Sequence, residues 1–268
     1  TAAATFARRG VEVILIERRA AFAVPGVGLG QPANALRVYD SLGALEEILE
    51  TGFIYDRMHI FDPSRQLIAE HKFLLGDDRV PAFCALSRLQ LHEILLAAVE
   101  RAGARVCLGV TVAEIKEDGD RVAVQFSTGQ NDTFDLVVGF DGIRSATRLH
   151  LVGTAFTPRP SGYGAWRVRA PRPDYVRGME FLQGIGSKTG AMPLSNDIMY
   201  LFHIRPEAAG ADFAGAVHEE VEFDMRIAED ARIRRPPVYI PETKLSMIWV
   251  SKASTALITK CGTPSFSQ

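Results

Sequence analysis

The stretch Asp135–Arg148 reads Asp-Leu-Val-Val-Gly-Phe-Asp-Gly-Ile-Arg-Ser-Ala-Thr-Arg and is the most informative part of this chain. Its apolar residues Leu136 to Val138 predict a buried strand that delivers Asp141 and Gly142 into a turn. In open α/β sheets, ligands bind at the carboxyl ends of such strands, and a glycine there lets the backbone approach a ligand closely. The stretch therefore predicts either a nucleotide contact by Asp141 or a helix N-terminus that Asp141 caps.

The composition is that of an ordinary globular protein of 268 residues, 47% hydrophobic and with a formal net charge of −2. This charge gives no electrostatic reason to expect nucleic acid or an anionic membrane as a partner. The cysteines, Cys84, Cys107 and Cys261, lie far apart without metal-ligand spacing, so we expect no metal site and a reducing cytoplasm. The chain also lacks a long apolar run and a signal-peptide pattern.

The first residues predict a helix and a strand of a dinucleotide-binding unit. Thr1–Arg9 is rich in alanine and ends at Gly10, and Val11–Ile16 is an apolar, mostly β-branched strand. Glu17 closes that strand, where an acidic residue accepts hydrogen bonds from the adenosine ribose. The alternative is a surface glutamate that pairs with a neighbouring arginine. The glycine-rich phosphate loop that precedes such a helix is not found, so we expect the chain to begin after it.

The middle of the chain adds a loop, a hairpin and a second helix. Pro25–Gly30 predicts a flexible loop, and residues 53–83 predict a strand hairpin outside the nucleotide domain. Ser87 and Gln90 form a capping box that begins the next helix. Arg88 lies in its first turn, where the helix dipole disfavours a cation. This arginine is therefore either exposed or stabilised by a bound anion such as pyrophosphate.

In this order, the elements resemble the class A flavin-dependent monooxygenases, the p-hydroxybenzoate hydroxylase-like family. The most specific match is the family motif Asp-Gly-x-x-Ser-x-x-Arg, which occurs at residues 141–148. Further matches over roughly residues 1–205 are the Gly10 to Arg18 unit, Gly28-Leu29-Gly30, Arg88-x-x-Leu91 and Tyr163-Gly164-Ala165-Trp166-Arg167. The resemblance implies an α/β fold, with an incomplete Rossmann-like FAD-binding domain and a mixed-sheet substrate-binding domain.

The resemblance also implies a division of the chain. Residues 1–52 and 84–153 would form the FAD-binding domain, without its first strand and phosphate loop. Residues 53–83 and 154–249 would form the substrate-binding domain, and residues 250–268 an atypical tail. The family's second flavin motif, which begins Gly-Asp, is not recognised in that tail. A chain truncated at both ends would explain both departures, and we expect it to bind FAD weakly or not at all.

FAD is the cofactor that the resemblance implies, with NADH or NADPH as the reductant. Glu17 would hold the adenosine ribose, Val112 would line the adenine through its backbone, and Arg88 would contact the pyrophosphate or ribityl region. The full set of matching cofactor contacts is Glu17, Arg18, Gly30, Arg88, Val112, Asp141 and Gly142.

The implied reaction passes through a flavin hydroperoxide and transfers one oxygen atom from O2 to an electron-rich aromatic or N-heterocyclic ring. On a strand over Ile198–Ile204, Tyr200 could hydrogen-bond a ring substituent and His203 could accept a phenolic proton. Packing in the core or at a sheet edge is the alternative for both side chains. Arg167 is a candidate anchor for a substrate carboxylate. A homodimer is the candidate assembly.

Two other functions are compatible with these residues. One is another flavin oxidoreductase of the same superfamily, such as a halogenase or an isoprenoid reductase. The halogenase motif Trp-x-Trp-x-Ile-Pro is absent from the sequence, which argues against the first of these. The other is a non-catalytic remnant that keeps the FAD-binding fold.

Overall fold

The computed structural model describes residues 1–22, 27–159 and 161–207, together with the backbone of Thr255–Lys260. The chain divides into two compact units. Unit 1 consists of Thr1–Val24, Glu93–Arg159 and Ser251–Gln268, and unit 2 of Pro25–His92 and Pro160–Val250. Among the helices described, none combines the length and the apolar character needed to cross a membrane.

Unit 1 contains a four-stranded sheet in the order β11-β16-β1-β7. Its strands are β1 (Glu12–Glu17), β7 (Arg105–Leu108), β11 (Leu136–Phe140) and β16 (Thr255–Lys260). β1, β7 and β11 run in one direction, as a dinucleotide-binding sheet requires. β16 lies between β1 and β11 and runs antiparallel to both. Part of the predicted tail is therefore a sheet strand, and the other tail residues lie outside the described part of the chain.

A three-stranded antiparallel sheet completes the core of unit 1. It contains β8 (Val112–Asp118), β9 (Arg121–Phe126) and β10 (Asn131–Phe134). β1 is buried on both of its faces, as parallel strands generally are. Its apolar residues pack against this three-stranded sheet. The buried cluster consists of Ile14, Ile16, Val124, Phe126 and Phe134. The helices of this unit include α1 (Ala2–Ala7) before β1 and α5 (Ala146–Val152) after β11.

Unit 2 contains a six-stranded sheet in the order β12-β15-β14-β13-β4-β5. Its strands are β4 (Arg57–Phe61), β5 (Leu67–Lys72), β12 (Tyr163–Pro171), β13 (Met179–Gln183), β14 (Lys188–Pro193) and β15 (Ile198–Pro206). The pairing of β13 with β4 is parallel, and the other pairings are antiparallel. The hairpin within residues 53–83 therefore shares one mixed sheet with the later strands.

A small sheet of unit 2 replaces part of the predicted loop. β6 (Phe83–Ser87) pairs with β2 (Gly28–Pro32) on one side and β3 (Phe53–Ile54) on the other. The prediction of a loop at Gly28–Gly30 is wrong because β6 supplies hydrogen-bond partners to that backbone. Residues 23–26 lie outside the described part of the chain. An apolar and aromatic core joins this sheet to the six-stranded one: Val27, Tyr55, Phe83, Ala85, Met192, Leu194 and Tyr200.

Two helices, α2 (Ala33–Ser41) and α3 (Leu45–Thr51), pack on the small sheet of unit 2. A third, α4 (Arg88–Arg101), begins in unit 2 and continues into unit 1. The periodicity of α4 predicts one apolar face, and Leu91, Ile94, Ala98 and Val99 on that face are buried. The α/β fold class is confirmed, while residues 25–52, predicted as part of the nucleotide domain, fall by their contacts in unit 2. The functional division into two domains stays a prediction.

Candidate functional site

The carboxyl ends of β1 and β11 lie at one edge of the unit 1 sheet. Glu17 ends β1 and Phe140 ends β11, and the backbones of both residues pair with Thr255 of β16. One strand therefore separates them, which corresponds to about 10 Å between β1 and β11. Asp141 follows directly after β11. The fold thus brings the two predicted carboxylates, Glu17 and Asp141, to the same edge.

Glu17 is buried at this edge, with 4% of its surface exposed. Its carboxylate oxygen Oε1 accepts a hydrogen bond from the backbone N–H of Arg19 at 3.0 Å, and its carbonyl oxygen accepts one from Val110 at 3.0 Å. The carboxylate is therefore held by the turn that follows the strand. Glu17 is not the surface residue of the alternative interpretation, whereas Arg18 is exposed.

Asp141 is bound to the first turn of α5. Its Oδ2 accepts hydrogen bonds from the Thr147 backbone N–H at 2.9 Å and from the Thr147 hydroxyl at 3.1 Å. Ser145 is the N-cap of α5 and accepts the Arg148 N–H at 2.8 Å. Burial favours the neutral acid, but hydrogen bonds from Ser145 and Thr147 outweigh it and hold the pKa of Asp141 below its usual value. Asp141 is therefore ionised at neutral pH.

The turn after Asp141 depends on Gly142. This residue has φ +77°, a left-handed conformation that glycine adopts at little cost. The chain can therefore reverse between β11 and α5 directly beside the carboxylate.

A cleft in unit 1 joins Asp141 to Val112. It has a volume of about 80 Å³ and opens to solvent. Val112 begins β8 and forms one wall, Ile16 lies next to Glu17, and Thr147 lies under Asp141. The lining residues are Ile16, Val110, Thr111, Val112, Ala113, Glu114, Ile115, Asp141, Ala146, Thr147 and His150. Unit 1 thus brings together Val112, Asp141 and the strand end that carries Glu17.

Two further predicted cofactor contacts, Gly30 and Arg88, belong to unit 2. Gly30 pairs with Ala85, and a Cβ atom at this position would collide with the ring of Phe83. Arg88 is the first residue of α4, and its backbone N–H donates to the Val27 carbonyl at 3.3 Å. Burial and the positive charge of Arg167 lower the pKa of Arg88.

The predicted substrate residues Arg167 and Tyr200 share one face of the six-stranded sheet. Arg167 pairs with Phe202 and Arg169 pairs with Tyr200 across β12 and β15, and directly paired residues point to the same face. Tyr200 belongs to the core between the two sheets of unit 2. Burial raises the pKa of the Tyr200 phenol, and the charge of Arg167 acts in the opposite direction.

His203 lies on the other face of β15, so the predicted catalytic pair of Tyr200 and His203 is not brought together. Side chains alternate along a strand, and residues three apart therefore point to opposite faces. The His203 Nδ1 atom lies 2.8 Å from the hydroxyl of Thr189 on β14. Burial and the Arg205 guanidinium lower the pKa of His203. The odd spacing of the two residues in the sequence could have indicated this separation.

Two residues of interest, Thr147 and Tyr55, were not singled out by the sequence analysis. Thr147 is 7% exposed and holds Asp141 through two hydrogen bonds. Its place six residues after Asp141, in the first helical turn, is the available signal. Tyr55 lies in an aromatic cluster, with its ring centroid 5.0 Å from that of Phe83, and burial raises the pKa of its phenol. Only the aromatic residues that flank the hairpin could have suggested this position.

The comparisons with known proteins identify the family of this chain. The family model described as FAD binding domain matches residues 1–211. YetM of Bacillus subtilis, named as a candidate FAD-dependent monooxygenase, is 29% identical over 208 residues, covering 77% of this chain and 56% of YetM. The 2-heptyl-3-hydroxy-4(1H)-quinolone synthase of Pseudomonas aeruginosa is 28% identical over 198 residues, covering 74% and 51%. The chain thus spans about half the length of the curated relatives it matches.

A solved structure gives the same result. HpxO of Klebsiella pneumoniae, crystallised with FAD and uric acid, has a TM-score of 0.61 and 26% identity, covering 73% of this chain and 50% of HpxO. The family model matches well over half of the chain. The protein therefore belongs to the FAD binding domain family, and its resemblance to the FAD-dependent monooxygenases of the p-hydroxybenzoate hydroxylase type is confirmed.

Proposed function

We propose that this chain supplies the FAD site and part of the substrate site of a monooxygenase. In this proposal, NADH or NADPH is the reductant, O2 is the oxidant, and an aromatic or N-heterocyclic small molecule is hydroxylated. The observation that carries the proposal is the common edge of β1 and β11 in unit 1, where the strand ends that carry Glu17 and Asp141 lie one strand apart. The names of the relatives support an N-heterocyclic ring, because a quinolone and uric acid both contain one.

The residues at this edge fit the adenosine half of FAD. Glu17 offers a carboxylate, the group that accepts hydrogen bonds from ribose hydroxyls at such a strand end. The backbone of Val112 borders the cleft on the side where an adenine would lie. Asp141 would contribute a negative charge and Gly142 a close backbone approach. Each of these groups lies in unit 1, so their arrangement does not depend on unit 2.

FAD, when bound, would supply the redox chemistry, namely acceptance of two electrons from the nicotinamide nucleotide and activation of O2 for transfer of one oxygen atom. The residues of the chain bind and orient the cofactor and the substrate. In unit 2, Arg167 would hold an anionic substituent of the substrate and Tyr200 would hydrogen-bond another. The apolar side chains beside Tyr200 would exclude water from the ring. These roles assign the substrate to the face of the six-stranded sheet that carries Tyr200.

The cofactor site is tested by titrating the purified chain with FAD and following the quenching of flavin fluorescence. Glu17→Gln should weaken binding by about tenfold, because it removes charge-assisted hydrogen bonds to the ribose. Glu12→Gln, at the opposite end of the same strand, is the matched control and should leave the affinity unchanged. Equal affinities of all three proteins would contradict the cofactor site.

The reaction is tested separately, with NADH or NADPH, FAD, O2 and a panel of phenols, hydroxybenzoates and hydroxylated N-heterocycles. The expected result is oxidation of one nicotinamide nucleotide that a subset of the panel stimulates, with a hydroxylated product detected by mass spectrometry. Nicotinamide oxidation no faster than in the absence of the protein, with every ring compound of the panel, would argue for the non-catalytic alternative.

A further inference from the structure

Among the strands that the structure describes, β5 is the outer strand of the six-stranded sheet of unit 2. Its residues, Leu67–Lys72, are all exposed. On the inner side β5 pairs with β4, and the backbone N–H of Phe73, just beyond β5, donates to the Asp56 carbonyl at 2.7 Å. Because hydrogen-bonding directions alternate along an antiparallel strand, the backbone groups of Glu70 and Lys72 point away from β4. These groups form a free edge that can pair with another strand.

The sequence along this edge has an approximate symmetry about His71. Glu70 precedes His71 and Lys72 follows it, so the acidic and the basic residue lie at equal distances from the centre. Apolar residues, each more than half exposed, lie at both ends of the segment, namely Leu67 and Ile68 before the charges and Leu74 and Leu75 after them. A segment with this pattern is complementary to a copy of itself that runs in the opposite direction.

Antiparallel pairing of two copies about a two-fold axis at His71 agrees with the backbone alternation. Glu70 would exchange backbone hydrogen bonds with Lys72 of the partner subunit, because both residues face the free edge. Opposite charges that lie directly across a strand pair attract each other, and the two-fold axis forms this contact twice. The two nearest registers with the correct alternation would place Glu70 opposite Glu70 or Lys72 opposite Lys72, and like charges there repel.

Contacts inside the hairpin leave both charges available to a second copy. The Oε2 atom of Glu70 lies 2.8 Å from Nε2 of His59, and its Oε1 atom lies 3.5 Å from Nη1 of Arg57. A carboxylate can accept further hydrogen bonds, and the Glu70 side chain is 45% exposed. Lys72 pairs with Arg57 across β4 and β5. A carboxylate from a second copy would offset the repulsion between these two like charges.

We propose that β5 is a dimerisation edge, at which two copies of this chain pair antiparallel about His71 and join their six-stranded sheets. The pairing of β4 with β5 changes register at Ile68, so the regular part of the contact is short and covers residues 69–73. We therefore expect micromolar rather than nanomolar association. The dimer goes beyond the proposed function and does not depend on flavin binding.

Sedimentation-velocity ultracentrifugation of the purified chain over a range of micromolar concentrations measures the dissociation constant of the dimer. Lys72→Glu and Glu70→Lys each replace two attractive contacts across the axis by two repulsive ones. Each variant should therefore raise the dissociation constant by at least about tenfold. Mixed in equal amounts, the two variants should associate with each other about as tightly as the parent, because each contact between positions 70 and 72 again joins opposite charges. A folding defect in either variant would not be rescued by mixing.

Arg177→Glu is the matched control for the charge reversals. It makes the same change of charge at an exposed position of unit 2 outside the edge strand, and it should leave the dissociation constant unchanged. Circular dichroism verifies that each variant is folded.

His71→Cys tests the register and keeps the proposal testable if a charge variant fails to fold. The two His71 residues would face each other where antiparallel Cα atoms lie about 4.5 Å apart, within the range of a disulfide bond. Oxidation should therefore link the two copies at position 71, and mass spectrometry of peptides distinguishes this link from links through the native cysteines. Ala69→Cys is the control, because the two copies of this position would lie about 13 Å apart and should not be linked.

A chain that stays monomeric at every concentration, without a link at position 71, would overturn the proposal. A dimer whose dissociation constant neither charge reversal changes would do so too, since it would form through another surface. A mixture of the two variants that associates no better than either variant alone would exclude the contact between Glu70 and Lys72. Equal linking at positions 69 and 71 would exclude the register.

Discussion

At the scale of single residues, Asp141 shows how one side chain serves two purposes. Its carboxylate accepts two hydrogen bonds from Thr147 and so fixes the start of α5 against the end of β11. The same group lines the cleft of unit 1. The N-cap role that the sequence allows for Asp141 is wrong, because Ser145 takes that position, and a contact from Asp141 to a nucleotide stays a prediction. The sequence could not show that Ser145 takes the N-cap position.

Asp141→Asn is expected to lower the free energy of unfolding by about 1 kcal/mol, because a neutral amide is a weaker acceptor for Thr147 than a carboxylate. Urea denaturation at neutral pH measures the change. Asp118→Asn, at an exposed position before a hairpin turn, is the control and should be neutral. A variant as stable as the parent would show that the bonds to Thr147 contribute nothing net.

The charge state of His203 should make stability depend on pH. Its folded pKa is lowered from the usual 6.5, so the unfolded chain binds a proton at this ring more readily than the folded chain. The free energy of unfolding should therefore fall as the pH drops below about 6.5, and His203→Gln should flatten that decline. NMR titration of the ring gives the folded pKa directly. A folded pKa at or above 6.5 would contradict this assignment.

At the scale of elements, β16 is the least predictable part of the fold. The apolar patterns predict strands at β1, β7 and β11, and a parallel direction for β1. Nothing local in residues 255–260 predicts that they lie between β1 and β11, because strand pairing is decided by partners far away in the chain. β2 is a similar case, since its glycines favour a loop until β6 supplies hydrogen bonds. Local pattern predicts strands, and long-range pairing decides their neighbours.

Ile258→Pro tests the position of β16. Ile258 pairs with Ile14 on one side and Val137 on the other, and proline removes a backbone donor from a strand that is paired on both sides. The expected loss of unit 1 stability is about 3 kcal/mol, the order of a proline in regular structure. Hydrogen exchange at the amides of β1 and β11 should accelerate, whereas Ile258→Val should leave it unchanged. Full protection in the proline variant would place β16 elsewhere.

Gly30 tests the packing of β2 on the aromatic core. Gly30→Ala would press its Cβ atom into the ring of Phe83, and such overpacking costs about 1–3 kcal/mol. Phe83→Leu makes room, so the double variant should be more stable than the sum of the single effects predicts. Thermal unfolding of the parent, the two single variants and the double variant completes this double-mutant cycle. Strictly additive effects would mean that the two side chains do not meet.

At the scale of the whole molecule, the motif-bearing segments were more predictable than the boundaries between units. The residues that match family motifs identify both the α/β class and the carboxyl edge with Glu17 and Asp141. The division of the chain by contacts differs from the domains predicted from the sequence, since residues 25–52 pack with unit 2. Packing of α2 and α3 on β6 produces this difference, and neither helix carries a sequence signal for its partner. Likewise, the separation of Tyr200 from His203 follows from strand alternation rather than from residue type.

ADP should protect one unit selectively. It carries the adenosine and pyrophosphate portions of the cofactor, and a ligand that binds only the folded state stabilises it. Hydrogen–deuterium exchange with and without ADP should slow at peptides that contain Glu17, Val112 and Asp141. Peptides of β4 and β5 are the internal control. Slowing confined to those control peptides would assign the adenosine site to unit 2.

The parallel pairing of β4 with β13 has a consequence for biosynthesis. Met58 pairs with Met179, so the hairpin of β4 and β5 leaves the ribosome long before its neighbour has been translated. During that interval, one long edge of the hairpin offers unsatisfied peptide groups to any passing chain. This delay in the pairing of β4 with β13 slows folding and exposes the nascent polypeptide to aggregation. Cellular yield should therefore depend on chaperones that shield this edge until translation passes β13.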